Sequence, residues 1–239
     1  MSGAASSRPR ICVLFALLEE AAPFLRRLAV VPELRSRCEV RVSGVGTVKA
    51  ARETTKLLAE AGPIAGLIVC GYGGGLTEQI TPGSLIVAER VLHVIGEPSG
   101  VPKVYIPNSR MRELAEGPCG DLVTFPKVLT TLEEKRAVHL WTKAQMVDME
   151  TAGAVAVAEQ AGVPWLAVRV ATDSVDEPLP FDFNALADAE GNVDRGRVVV
   201  AALTHPWKIP ALIRLGSRSA QAAKNLTRFL ETYLLQWPD

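Results

Sequence analysis

The sequence lacks an excess of charge of either sign and lacks an apolar run long enough to cross a membrane. It carries 26 basic and 26 acidic residues among 239, so the formal net charge is zero. No global field therefore favours nucleic acid or another highly charged partner. No stretch approaches the roughly 18 uninterrupted apolar residues of a spanning helix. A small-molecule ligand fits this composition best.

The sequence also lacks the cysteine and histidine patterns of a metal site or of a histidine-based triad. The histidines share no spacing with one another or with a cysteine, and no CxxC pair is present. We therefore expect reduced core thiols in a cytoplasmic protein that uses no metal and no cofactor. The thiols are Cys12, Cys38, Cys70 and Cys119.

The length and the 48% hydrophobic content suit one α/β domain with a sizeable core. Residues 1–10 are small, polar and basic, and the apolar run behind them continues directly into Glu19 and Glu20. That run lacks a convincing cleavage site for a secretory signal. We predict a disordered leader over residues 1–10 and a single domain over residues 11–239.

Apolar, β-rich runs alternate with alanine-rich helical runs, which is typical of a sheet covered by helices on both faces. The predicted strands cover residues 11–17, 38–43, 64–70, 84–93, 121–128 and 165–171. The predicted helices cover residues 20–28, 47–61, 108–116, 150–162, 195–204 and 209–235. An irregular acidic segment is expected over residues 181–193.

Two carboxylates are predicted to meet at the end of a strand. Glu150 opens a helix that ends at Gly162, and Asp173 follows the buried strand that begins at Trp165. The helix climbs about 18 Å and the strand returns about 20 Å, so both carboxylates lie at one level. Open α/β sheets bind ligands at this edge. The pair is a candidate site, and the alternative is a helix cap beside a solvated turn.

Two other strand ends carry unusual residues. Glu19 and Glu20 follow the first strand, and a Gly-Tyr-Gly-Gly-Gly run at 71–75 follows Cys70. We interpret that run as a loop whose backbone can approach a ligand closely and offer amide donors. Because such strand ends lie along one edge of a doubly wound sheet, we expect them to join Asp173 there.

Five short motifs follow one another in a distinctive order. In this order they resemble the purine nucleoside and uridine phosphorylase superfamily, and most of all its methylthioadenosine/adenosylhomocysteine nucleosidase branch. The resemblance implies a three-layer α/β sandwich around a central mixed, mostly parallel sheet, and a homodimer. The motifs are Ala16-Leu17-Leu18-Glu19-Glu20, residues 43–51, residues 71–76, Val147-Asp148-Met149-Glu150 and Arg169-Val170-Ala171-Thr172-Asp173.

The resemblance implies cleavage of an N-ribosidic bond. Its transition state is a ribosyl oxocarbenium ion with a departing purine. The enzyme therefore needs an acid for the base, hydrogen-bond acceptors for the ribose hydroxyls and an activated nucleophile. Asp173 matches the acid that protonates or hydrogen-bonds N7 of adenine. Glu150 matches the carboxylate that accepts the ribose hydroxyls, and Glu20 matches the base that acts on the attacking water.

Further residues match substrate-binding positions of the family. Arg169 is expected to orient Glu150 by charge-assisted hydrogen bonding, and Met149 to pack on the sugar or base. Tyr72 stands where a small hydroxyl residue is usual, so it is expected to narrow the nucleophile pocket. Thr172 stands where serine is common and keeps the hydroxyl. Gly73 and Gly74 are the last two residues predicted to bind substrate.

Other activities compete with hydrolysis. Phosphorolysis needs several donors, usually arginines, and Arg41 is the only candidate near the loop at 44–48, so hydrolysis is favoured. A non-catalytic nucleoside-binding protein would have no need for Glu20 as a base. A dinucleotide-dependent oxidoreductase is disfavoured because the Gly-Val-Gly run at 44–46 lacks the third glycine of GxGxxG.

The C-terminal region resembles the hopanoid-associated members of the superfamily in residues 176–180, 188–192 and 205–212. That resemblance implies a lipid-linked adenine nucleoside as an alternative to a small thioether. Trp207 and Lys208 begin an amphipathic segment that could contact an anionic membrane peripherally. The alternative is an ordinary C-terminal helix packed on the sheet.

Overall fold

A computed structural model describes residues 9–95, 100–187 and 195–238 of the chain. Residues 1–8 of the predicted leader and residues 188–193 of the predicted acidic segment lie outside this description. Arg10 already belongs to the first strand, one residue before the predicted start. The division into a leader and one domain stays a prediction.

The described residues form one eight-stranded sheet that is mixed and mostly parallel, as predicted. Five of its eight strand pairings are parallel and three are antiparallel. The strands are β1 (Arg10–Phe15), β2 (Cys38–Val42), β3 (Ile64–Gly75), β4 (Leu85–His93), β5 (Lys103–Tyr105), β6 (Cys119–Thr124), β7 (Met146–Asp148) and β8 (Trp165–Asp173).

Helices cover the sheet, and all six predicted helices are present. The helix predicted over 195–204 has both of its ends as predicted, and the other five differ at one or both ends. The α-helices are α1 (Leu18–Val30), α2 (Pro32–Arg37), α3 (Thr47–Glu60), α4 (Ser109–Glu113), α5 (Leu132–Thr142), α6 (Thr151–Gln160), α7 (Arg195–Thr204) and α8 (Ile209–Gln236). A 3₁₀ turn, Pro206–Lys208, joins the last two. The sequence prediction missed α2, α5, β5 and β7.

The predicted glycine loop at 71–75 is wrong, because β3 continues as a strand to Gly75. Its backbone pairs with β8 from Leu67 to Gly74, so hydrogen bonds of the sheet hold the glycine run in an extended form. Gly74 pairs with Val147 on one side and with Asp173 on the other. The strands β3, β8, β4, β6 and β7 consequently close a circuit of pairings.

Two apolar clusters lie on the two faces of the sheet. In β1, Cys12 and Leu14 join one cluster, and Ile11, Val13 and Phe15 join the other. This alternation follows from the two-residue period of a strand. The first cluster also includes residues of α3 and α6, and the second includes residues of α1 and α8.

All four cysteines are free thiols, and three of them are buried in agreement with the prediction. Cys119 is the exception. It is exposed at the start of β6, so the interpretation as a core thiol is wrong for this residue.

The helices α3 and α6 cross closely because α6 carries a glycine at the crossing. A Cβ atom added at Gly153 would lie 2.1 Å from the carbonyl oxygen of Thr47. This close approach sets α3 beside the start of α6, and Thr47 directly follows Gly46, whose backbone takes part in the site described below.

We predict that Gly153→Ala lowers the free energy of unfolding by about 1–3 kcal/mol, because the new methyl group forces the two helices apart. Gly216→Ala is the matched control. A Cβ atom added at Gly216, inside α8, meets nothing within 4 Å, so this change should raise stability by about 0.5–1 kcal/mol. Urea unfolding measures the free energy of unfolding of both variants. Equal changes in the two variants would contradict the close contact between α3 and α6.

Candidate active site

A cavity of about 280 Å³ lies where the ends of β1, β3, β7 and β8 meet. Eight of the nine predicted site residues line it, and the ninth, Arg169, is fully buried beneath it. The eight lining residues are Glu20, Tyr72, Gly73, Gly74, Met149, Glu150, Thr172 and Asp173. The residues selected from the sequence patterns therefore lie together around one cavity of the fold.

Glu20 reaches the cavity from the first turn of α1 and is 3% exposed. Its Oε2 accepts hydrogen bonds from the amides of Ala16 (3.0 Å) and Leu17 (2.9 Å), and its Oε1 accepts one from Tyr72 (2.8 Å). Burial raises the pKa of Glu20 above its ordinary value, although the nearby Arg169 and the three amides oppose that shift. The carboxyl group is thus fixed in position and basic for a glutamate.

Arg169 pairs more closely with Asp148 than with Glu150, which corrects the predicted partnership. Its Nη2 lies 2.6 Å from Oδ2 of Asp148 and 3.6 Å from Oε2 of Glu150. The same nitrogen donates to the hydroxyl of Thr151 at 2.8 Å. Asp148 also accepts from the Thr151 amide at 3.2 Å, so it caps the start of α6.

Glu150 is held instead by the loop before α3. The amide of Gly46 donates to Oε1 of Glu150 at 3.0 Å, while Arg169 stays within range of its charge. Burial raises the pKa of Glu150 to about 7; the neighbouring Asp148 charge adds to the shift, and Arg169 opposes it. This carboxyl group therefore changes charge near neutral pH.

Asp173 ends β8 in the wall of the cavity and contacts a lysine that sequence reasoning missed. Its Oδ2 accepts a hydrogen bond from Nζ of Lys135, and its Oδ1 accepts one from the hydroxyl of Thr172 at 3.1 Å. Burial raises the pKa of Asp173, and Lys135 and Thr172 oppose that shift. Lys135 belongs to α5, and the signal that could have located this helix is its capping box, Thr131 with Glu134.

Gly71 makes room for charged side chains and not for a ligand. A Cβ atom at this position would lie 2.5 Å from Nη1 of Arg169 and 2.8 Å from Oε2 of Glu20. The run of small residues in β3 is therefore partly explained by the side chains packed against it. Gly73 and Gly74 do line the cavity, as predicted.

Arg41 does not line the cavity; it pairs with Glu39 at 2.9 Å and with Glu60 at 3.2 Å. The basic side chain among the lining residues is Lys127, half-exposed and paired with Glu134. Within the described ranges, no group of three or more His, Cys, Asp or Glu side chains is arranged to hold a metal ion. The expected absence of a cofactor stays a prediction.

Comparison with known proteins identifies the family. A profile described as the phosphorylase superfamily matches residues 10–204. The 5'-methylthioadenosine/S-adenosylhomocysteine nucleosidase of Lysinibacillus sphaericus is 28% identical over 167 residues, which cover 58% of this chain and 72% of that protein. The enzyme of the same name from Shewanella oneidensis is 26% identical over 164 residues, with 60% and 69% covered.

Solved structures share the fold. Futalosine hydrolase of Helicobacter pylori superposes with a TM-score of 0.72 at 18% identity, covering 96% of this chain and 98% of that one. The 5'-methylthioadenosine/S-adenosylhomocysteine nucleosidase of the same organism gives a TM-score of 0.72 at 17% identity, with 96% and 99% covered.

Profile, relatives and fold define an enzyme that cleaves N-glycosyl bonds, of the nucleosidase and nucleoside phosphorylase class. The chain belongs to the phosphorylase superfamily. This confirms the resemblance carried by the five motifs. The narrower resemblance of the C-terminal region to hopanoid-associated members stays a prediction.

We predict that the free energy of unfolding falls as pH rises from about 5 to 8. A raised carboxyl pKa means that the folded state favours the protonated group. The contribution of Glu150 is therefore complete below its ordinary value of 4.5 and is lost as pH rises through about 7. A shift of this size corresponds to about 3 kcal/mol at most.

Urea unfolding at a series of pH values measures this fall, and Glu150→Gln should flatten it because glutamine does not titrate. The control is Glu113→Gln, at an exposed position of α4, which should keep the wild-type slope. Stability that rose with pH over this range would contradict the buried carboxyl cluster.

Proposed function

We propose that this protein hydrolyses the N-ribosidic bond of an adenine nucleoside and releases the free purine. The observation that supports this most strongly is the placement of three buried carboxyl groups around one cavity, those of Glu20, Glu150 and Asp173. The nucleosidases among its relatives carry names that refer to adenine nucleosides.

The three carboxyl groups divide the reaction between them. Asp173, whose pKa is raised by burial, holds a proton and gives it to N7 as the bond between the sugar and N9 breaks. Glu150 accepts hydrogen bonds from the ribose hydroxyls and stabilises the positive charge that develops on the sugar. Glu20 takes a proton from the water that attacks C1′. The released purine and ribose account for all atoms of the nucleoside and the water.

Neighbouring residues complete the binding site in this proposal. Met149 packs on the sugar or base, and Gly73 and Gly74 form the part of the wall that belongs to β3. Thr172 holds Asp173 through its hydroxyl, 3.1 Å away. Tyr72 lines the cavity next to Glu20 and narrows the space for the nucleophile. Arg169 neutralises part of the carboxylate charge from beneath.

Water is favoured over phosphate as the nucleophile because the cavity is acidic. Four carboxyl side chains line it, and the lining residues described include no arginine. Lys127 is engaged by Glu134 at 2.5 Å. These carboxylates would repel a phosphate ion, whereas a phosphorylase binds phosphate with several cationic donors. Phosphorolysis therefore remains the second candidate.

The remaining wall of the cavity is apolar and suits an apolar group on the ribose 5′ carbon. Such a wall accepts a small thioether or the start of a hydrocarbon chain, since neither needs hydrogen bonds. It is formed by Leu17, Val128, Leu129, Leu179, Phe183 and Leu215.

The substrate class is tested by incubating the protein with methylthioadenosine, adenosylhomocysteine, adenosine and inosine, with and without phosphate. Chromatography should show free adenine from at least one adenine nucleoside, at the same rate in both conditions. Release that requires phosphate would establish the phosphorylase alternative. Binding without release would establish the non-catalytic alternative.

Substitution of the carboxyl groups should separate their roles. We predict that Asp173→Asn lowers kcat by about 10² to 10⁴ with the fold intact, because it removes the acid. Glu20→Gln should lower kcat while keeping nucleoside affinity, and Glu150→Gln should weaken affinity as well. Steady-state kinetics and calorimetric binding measure these effects. Wild-type turnover in a folded Asp173→Asn variant would contradict the assignment of the acid.

The C-terminal region supports peripheral membrane contact as part of the same proposal. The second half of α8 is buried against the sheet, which agrees with the ordinary-helix alternative, but its first half and α7 are not. Trp207 is 70% exposed and Ile213 is 66% exposed. Lys208 beside them adds positive charge. Further along α8, Leu215 lines the cavity, so this surface adjoins the apolar wall.

The described helices include no single one that is long and apolar enough to cross a membrane. A pair formed by residues 196–204 and 206–236, bent by 110°, passes that test of length and composition only when taken together. The bend and the exposed apolar residues are compatible with a segment lying on a lipid surface. A homodimer and a cytoplasmic location stay predictions from the sequence.

We predict that the protein floats with anionic phosphatidylglycerol vesicles at low salt, and that Trp207→Ala combined with Lys208→Glu abolishes flotation. Turnover of methylthioadenosine should be unchanged, since neither residue lines the cavity. Leu140→Ala combined with Lys143→Glu, an exposed pair around the end of α5, is the control and should still float. No flotation of the wild-type chain would leave a small thioether as the substrate.

A further inference from the structure

Lys135 is a buried cation that reaches from α5 to the segment following β8. The side chain is 1% exposed, and its ammonium group donates three hydrogen bonds. The acceptors are Oδ2 of Asp173, the carbonyl oxygen of Ser174 at 2.6 Å and that of Glu177 at 3.0 Å. All three donors of the ammonium are thereby satisfied. A charge buried this completely needs an opposite charge and hydrogen-bond partners, and Asp173 supplies the opposite charge when it is ionised.

We propose that Lys135 is a positioning residue that aims Asp173 at the purine and stabilises the carboxylate left behind when Asp173 gives up its proton. This inference rests on the proposed function, in which Asp173 is the acid. Lys135 itself does not touch the nucleoside, since it is absent from the lining of the cavity.

The geometry decides which oxygen carries the proton. The ammonium occupies Oδ2, so the proton to be transferred resides on Oδ1. The hydroxyl of Thr172 lies 3.1 Å from Oδ1 and 3.5 Å from the carbonyl oxygen of Gly73. It can therefore donate to Gly73 while Oδ1 is protonated and turn to Oδ1 once the proton has gone.

The proton transfer balances without loss of a proton from Lys135. The proton moves from Oδ1 of Asp173 to N7, and the electrons of the broken C1′–N9 bond stay on the purine. Before transfer the pair consists of an ammonium ion and a neutral acid; afterwards it is an ion pair. An ammonium in contact favours the ionised product of this step and so makes the buried Asp173 a stronger acid.

Other charges also face Asp173. Glu177, in the segment after β8, opposes ionisation of Asp173, and Arg218 of α8 forms an ion pair with Glu177. Because Lys135 also holds the backbone of Ser174 and Glu177, a merely structural role would be to order this segment. The experiment has to separate that role from an effect on Asp173.

The pH dependence of kcat/KM separates them. Activity requires protonated Asp173, so it is lost as pH rises through the pKa of that group. Lys135→Met removes the positive charge, raises that pKa and should move the alkaline limb upward by about one pH unit or more, with lower turnover at neutral pH. Lys135→Arg keeps the positive charge, so the alkaline limb of its kcat/KM profile should lie at the wild-type pH.

A substrate that needs no acid provides the second readout. A p-nitrophenyl riboside releases p-nitrophenolate, a stable anion that needs no proton to leave. The Lys135→Met variant should therefore cleave it at close to the wild-type rate, while adenine release falls about tenfold or more. On an Asp173→Asn background, Lys135→Met should cause little further loss. Equal losses on both substrates with an unmoved alkaline limb would show a structural role and overturn the proposal.

A direct titration keeps the two proposals distinguishable. Wild-type protein that released no base would contradict the proposed function. The carboxyl titration of Asp173 by ¹³C NMR would then still show whether Lys135→Met raises its pKa relative to Lys135→Arg. An unchanged titration would overturn the inference about Lys135, whether or not the chain is active.

Discussion

A single fully buried guanidinium, that of Arg169, interacts with three carboxyl groups. Much of the site depends on this excess of negative over positive charge. Asp148 contacts it most closely, and the charges of Glu150 and Glu20 act on it as well. One positive charge cannot neutralise three negative ones in a desolvated place. Asp148 is satisfied by Arg169 and by the start of α6. Burial raises the pKa values of Glu20 and Glu150, and for Glu150 the nearby Asp148 charge adds to the shift. A carboxylate with a raised pKa is a stronger base, which suits the role proposed for Glu20.

The proposed acid, Asp173, does not belong to this cluster and pairs with a different cation. Asp173 pairs with Lys135, whereas Asp148 and Glu150 pair with Arg169. In the proposed reaction, protonation of the purine and activation of water are therefore governed by separate charges. The sheet makes the separation possible, because Gly74 of β3 pairs with both Asp173 of β8 and Val147 of β7. A side chain at the neighbouring Gly71 would collide with Arg169 and Glu20. The glycine run thus makes room for charged side chains at Gly71 and lines the cavity at Gly73 and Gly74.

Much of this arrangement could be predicted from the sequence, because it depends on local periods and on strand ends. The alternation of strands and helices predicted a sheet covered by helices on both faces, and the family resemblance implied that this sheet is mixed. The predicted lengths of α6 and β8 placed Glu150 and Asp173 at one level. The tertiary partners could not be predicted. Whether Arg169 pairs with Asp148 or Glu150 is decided by a difference of 1.0 Å, from 2.6 to 3.6 Å, which no sequence spacing encodes.

Other errors have equally specific causes. Glycines usually mark loops, but here β3 finds a partner on each side and remains a strand. The strands β5 and β7 have three residues each, too few for a two-residue period to be recognised. Lys135 was missed because a lysine is expected at the surface, and only packing of α5 against the segment after β8 buries it.

The most direct test of the account is a crystal structure of the protein with a non-hydrolysable adenine nucleoside analogue. We predict that N7 of the purine lies within about 3 Å of Oδ1 of Asp173. The ribose hydroxyls should contact Glu150, and Glu20 should face C1′. A base bound away from Asp173, or a ribose that leaves Glu150 without contact, would contradict it.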